Sequence, residues 1–152
     1  MVTGAGTHPL VRELVHVAAF QLDEGESVSR TRFGDLPDTL LGEAMVVSGD
    51  EVHLDPVLGP RLLYGDAAPD MATAAARLRP VSRLVSAWRS VPSTYVVCAE
   101  DEVVHPGRHR AMASRLTRTV EWPCGHSPVA TRPGAVADLV AARVDGVRTS
   151  PP

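Results

Sequence analysis

The strongest constraint in this chain is the placement of three short strand-like runs. Leu14 to Phe20 reads LVHVAAF, Tyr95 to Cys98 reads YVVC after a turn at Val91 and Pro92, and Arg118 to Trp122 reads RTVEW. Each is too brief for a helix and is rich in β-branched or aromatic side chains, which predicts strands. The first two are nearly continuous in apolar character, the signature of strands covered on both faces, as in a parallel sheet. His16 interrupts the first run and is expected to be a packed, hydrogen-bonded core residue. Pro106 and Gly107 close an acidic loop after the second run. The stretch RHRAMASRL that follows predicts a helix over 108–117 with Met112, Ala113 and Leu116 on one side. Pro123, Cys124 and Gly125 close the third run. A last helix is predicted over 133–144, with Val136, Leu139, Val140 and Val144 in one apolar stripe, and the tail DGVRTSPP is expected to fray.

Between the first and second runs lie about seventy residues with no clear strand, far more than a usual crossover. A short helix is predicted near Asp38 to Met45, followed by a turn at Gly49 and Asp50. The Pro- and Gly-containing stretch VHLDPVLGPRLLYGDAAP favours irregular structure with brief helical or extended turns. Further helices are predicted from Pro69 to Leu78, ended by Pro80, and over Ser82 to Arg89. The excess is best explained as a helical cap, residues 21–90, inserted over the open end of a parallel sheet. Strand, insertion, strand, helix, strand, helix is the order of the back half of an α/β domain, with parallel strands flanked by helices.

Composition narrows the partners. The formal charge is −3, and all 15 basic residues are Arg, scattered among Asp and Glu rather than gathered in a stripe. Neither nucleic acid nor a membrane surface is expected as a partner. No run approaches the length of about 18 apolar residues that a transmembrane helix needs, and MVTGAGTHPL lacks the basic and apolar regions of a secretion signal. The two cysteines, Cys98 and Cys124, are expected to be buried free thiols in a reducing, cytoplasmic setting.

Asp101 lies just beyond the second strand and His126 just beyond the third. In a right-handed parallel arrangement both loops open on the same edge of the sheet, where such folds place their ligands and catalytic groups. Taken alone, Glu100, Asp101 and Glu102 read more readily as a solvated loop than as a functional cluster. Taken with His126, Asp101 reads as the carboxylate that orients an imidazole and stabilises its charged form, leaving the second ring nitrogen free as a base. No nucleophile accompanies them: Ser127 is adjacent to His126 and points elsewhere, and neither cysteine has an activating setting. The sequence contains no G-x-S-x-G, no glycine-rich phosphate loop and no metal spacing such as H-E-x-x-H, so no cofactor or metal is expected. His105 and His109 are read as surface histidines.

LVHVAAFQLDEGES, STYVVCAEDEVVHPGRHRAMASRL and VEWPCGHSPVATRPGAVADLV, in that order, resemble successive C-terminal segments of the α/β-hydrolase family, in the branch of esterase-like hydrolases, methylesterases and hydroxynitrile lyases. The resemblance runs from about Met1 to Val144. It implies a C-terminal part of an α/β-hydrolase fold over 1–152, with 21–90 as the pocket-shaping cap and Trp88 near its end. It also implies Asp101 and His126 as the acid and histidine of a Ser, Asp, His triad. The family's nucleophile elbow and oxyanion donors are expected to precede Met1, so this polypeptide supplies two of the three triad members. The function implied is hydrolysis of a small carboxylic ester in the complete protein. The competing expectation is an inactive fragment or non-catalytic interaction protein. A lyase is disfavoured because the branch's lyases want a Lys near the histidine, and this chain has none. An exposed sheet edge is expected to cause weak solubility or self-association.

Overall fold

The computed structural model describes residue 6 and residues 8–23, 36–48, 51–67 and 89–149. Its centre is a three-stranded parallel sheet of β1 (Leu14–Val17), β4 (Ser93–Cys98) and β5 (Arg118–Trp122), in the order β1-β4-β5. Leu14 to Val17 pair with Ser93 to Val96, and Thr94 to Cys98 pair with Arg118 to Trp122. All six residues of β4 are buried, which is why its sequence shows no polar alternation. β1 stops three residues short of the sequence expectation. Ala18 takes a left-handed conformation, with φ 45°, that no regular strand accommodates.

The helix after β4, α3 (Pro106–Ala113), begins at Pro106 rather than beyond Gly107. Proline fits a first helical position, where an amide hydrogen would lack a partner, and His105 Nδ1 accepts from the Gly107 N–H at 3.0 Å. Met112 and Ala113 of α3 pack on Tyr95 and Val97 of β4. The opposite side of the sheet gathers Ala18, Cys98, Cys124 and Trp122 in a smaller cluster.

The insertion differs most from expectation. Its described part contains α1 (Leu41–Ala44), an antiparallel pair β2 (Met45–Ser48) and β3 (Glu51–Leu54), and α2 (Leu58–Tyr64). A hairpin therefore stands where no strand was expected. Four-residue strands are too short for their alternation to separate from the preceding helical pattern. The irregular stretch is likewise a helix at its centre. Asp55 Oδ1 accepts from the Val57 and Leu58 N–H groups at 2.9 and 2.7 Å, and Pro60 falls in the tolerant first turn. Gly59 permits the close approach of β3, since a Cβ there would lie 2.8 Å from Leu54 Cβ. The expected helices at 69–78 and 82–89 lie outside the described residues, apart from Arg89.

Ala44 and Leu62 of the insertion join Tyr95, Val97 and Met112 in one core. The sheet and the described part of the insertion thus bury their apolar surface together. Beyond β5 come α4 (Pro128–Thr131) and α5 (Pro133–Thr149). α5 runs past Val144 through residues expected to fray. Its stripe is only partly covered, with Val140 and Val144 44% and 53% exposed.

Candidate active site

The loops after β4 and β5 are tied together by main-chain bonds. The Ala99 N–H donates to the Trp122 carbonyl at 2.9 Å and the Glu100 N–H to the Cys124 carbonyl at 3.1 Å. This pairing brings Asp101 and His126 into contact. His126 Nδ1 lies 2.7 Å from Asp101 Oδ2, and the carboxylate is wholly buried while the imidazole is 17% exposed. Among the described residues no hydrogen bond is made by His126 Nε2, and the imidazole keeps part of its surface exposed.

Asp101 is saturated. Its Oδ1 accepts from the N–H groups of Val103 and Val104 at 2.7 and 3.0 Å, and its Oδ2 faces His126 and also His109 Nε2 at 2.8 Å. Burial by itself would raise the pKa of this carboxyl. The hydrogen bonds from His109 and His126, the charge of His126 and the Val104 amide outweigh it and hold the group well below the usual carboxylate range. Asp101 is therefore a fixed anion, fit to orient a base rather than to donate a proton.

The insertion reaches the same loops. Asp66 Oδ2 accepts from the Gly125 N–H at 2.8 Å, and Thr39 Oγ1 donates to the Val103 carbonyl at 2.6 Å. A Cβ on Gly125 would meet the Asp66 carboxylate at 2.7 to 2.9 Å. Glycine at that position lets the carboxylate approach the backbone beside His126.

The model of the alpha/beta hydrolase family matches residues 2–139. This chain belongs to that family. A pyrethroid hydrolase structure superposes on it with a TM-score of 0.74 at 19% identity, covering 98% of this chain and 67% of its own. A second, from Sphingobium faniae JZ-2, gives 0.73 at 18% identity over 95% and 65%. A methylesterase from Arabidopsis gives 0.67 at 16% identity over 95% and 64%. At these identities the likeness is one of fold, and this chain spans about two thirds of the length of those structures. No curated protein matches it.

Within this hydrolase fold one side-chain partner of Asp101 went unread in the sequence. His109, expected on the surface, is fully buried between Asp101 and the Tyr95 hydroxyl, which lies 2.8 Å from its Nδ1. The available signal was positional: His109 falls in the first turns of α3, eight residues after Asp101, on the flank of Met112 and Ala113. The other buried histidine, His16, is packed as expected, its ring stacked with Tyr95 at 6.2 Å. Its Nε2, however, lacks a hydrogen-bond partner among the described residues, and burial lowers its pKa. Cys98 and Cys124 are free and buried, and burial pushes both thiols up, away from thiolate chemistry. Ser127 uses its main chain to start α4, its carbonyl accepting from the Ala130 and Thr131 N–H groups at 2.9 and 3.1 Å. Among the described residues no helix is long and apolar enough to cross a membrane.

Proposed function

We propose that Asp101 and His126 are the acid and base of a serine hydrolase that cleaves small carboxylic esters through an acyl-enzyme. The observation that carries this reading is the 2.7 Å contact between a buried carboxylate and an imidazole whose other nitrogen makes no hydrogen bond among the described residues. In the reaction His126 Nε2 takes the proton of the attacking serine hydroxyl and returns it to the leaving alcohol. It then activates water against the acyl-enzyme, while Asp101 stabilises the imidazolium formed at each stage. The serine belongs to the G-x-S-x-G turn of the family, a motif these 152 residues do not contain. In this reading it is contributed by polypeptide outside them. Family membership, with an esterase-like neighbour and pyrethroid hydrolases among the similar folds, supports the ester class.

Residues 21–90 act as the cap that shapes the pocket. Support comes from Thr39 and Asp66, which contact the loops bearing Asp101 and His126. The protein works in the cytoplasm on a small-molecule ester, and the 152-residue chain associates with itself through its open sheet edge. The second reading, a non-catalytic interaction protein, is favoured by the absence of a serine elbow in the sequence.

A fluorophosphonate probe that labels active serine nucleophiles tests the two. The polypeptide extended through the upstream coding sequence is expected to label, and His126→Ala is expected to abolish the signal. The 152-residue chain alone is expected to stay unlabelled. If the extended, folded polypeptide does not label, the interaction reading replaces the hydrolase.

A further inference from the structure

We infer that His109 is a positioning residue of this site, a second imidazole that shares Oδ2 of Asp101 with His126 and tunes how strongly His126 holds its proton. The inference rests on the reading of Asp101 and His126 as acid and base.

An ionised carboxylate only accepts hydrogen bonds, so both ring nitrogens facing Oδ2 carry a hydrogen. These are Nε2 of His109 at 2.8 Å and Nδ1 of His126 at 2.7 Å. Beyond His109 the chain of contacts continues. Tyr95 Oη lies 2.8 Å from His109 Nδ1 and 2.6 Å from the Ala19 carbonyl oxygen. The phenol has one hydrogen to give. Given to His109, it leaves that ring neutral. Given to Ala19, it requires Nδ1 to donate as well, and the ring is then a cation. Both arrangements place an N–H on Asp101.

Both also act on His126 in one direction. A donor already on Oδ2 weakens that oxygen as an acceptor for His126, and a cationic His109 repels the imidazolium that forms there. His109 therefore competes with His126 for Oδ2 and loosens the hold of Asp101 on the base. Among the described residues, the other charged groups near the loop of His126 are Asp66 on the Gly125 amide, Glu100 just beyond β4, and Arg132, which donates to the Pro123 carbonyl at 2.5 Å. The Cys98 and Cys124 thiols beneath the loop are neutral. Of the described residues, His109 is the one that bonds the same oxygen as the base.

The test is NMR of the histidine ring nitrogens in the 152-residue chain across pH, with His109→Phe and His109→Gln beside the wild type. His109→Phe keeps an aromatic ring and removes the donor. It is expected to raise the His126 midpoint by at least about half a pH unit. His109→Gln, which retains a donor for Oδ2, is expected to restore most of the wild-type value. A His126 midpoint unmoved in His109→Phe overturns the inference, since a histidine that merely fills space would leave it unchanged. Should His109→Phe fail to fold, His126→Ala supplies the reciprocal measurement. The Nε2 signal of His109 is then expected to move, and an unmoved signal overturns the inference. No turnover is needed for either readout, so a coupled pair of histidines in this chain, with no probe labelling of the extended polypeptide, would sink the hydrolase reading alone.

Discussion

Asp101 is the residue on which most of the site's energy depends. Four donors converge on its two oxygens, and the carboxylate has no exposure to water. Its folded pKa lies below the unfolded value of about 4. The stability it contributes is therefore complete above about pH 4 and is lost as pH falls through the lower, folded value. Asp101→Asn removes this charge and turns amide hydrogens toward N–H donors. It is expected to cost on the order of 3 kcal/mol at neutral pH, read from denaturant unfolding. The variant's stability should also change less with pH below about 4 than the wild type's. Equal acid slopes in the two proteins would show that Asp101 is not the group responsible.

At the scale of elements, α3 is the piece that makes β4 a two-faced strand and delivers His109 to the site. Met112 is fully buried against the core, and its Sδ receives the Gln21 N–H at 3.3 Å, so it also fastens the chain leaving β1. Met112→Ala is expected to cost about 2–5 kcal/mol, measured as the shift in the unfolding midpoint, with the denaturant slope unchanged. A loss under about 1 kcal/mol would mean that the cavity collapses and that α3 is held chiefly by its loops. The same elements explain what could be read in advance. β4 was legible because a buried strand shows a short apolar run, and β5, which has no buried residue, because its β-branched and aromatic side chains stop at Pro123 and Gly125; Asp101 and His126 followed from their places just beyond those strands. The β2–β3 hairpin was not, because Val46 and Val47 are exposed and make no alternation. α2 was hidden by Gly59 and Pro60, whose places in a tight approach and a first turn are tertiary facts. His109 was hidden for a related reason: its spacing to Met112, Ala113 and Leu116 in RHRAMASRL places it on the buried face, but its partners Tyr95 and Asp101 lie on another element.

The molecule as a whole leaves apolar surface unsatisfied. Among the described residues β1 pairs only with β4, and Val129, Val140 and Val144 of α4 and α5 are exposed. The purified 152-residue chain is expected to sediment as concentration-dependent oligomers and to bind a dye specific for apolar surface. A monomer with a sharp, cooperative melt and no dye binding would contradict this. Fold and site also differ in how they are held at this scale. The core joins the sheet to Ala44 and Leu62, so the described residues between β1 and β4 gain and lose their packing together with the sheet.

One pair of positions carries this coupling into inheritance. Gly125 needs no left-handed backbone, and the space a side chain would fill is taken by the Asp66 carboxylate on its own amide. A methyl at 125 evicts that carboxylate, and once residue 66 has lost its acid nothing in the local geometry holds 125 to glycine. Position 125 is therefore free to take a side chain only once position 66, fifty-nine residues away, has withdrawn its carboxylate.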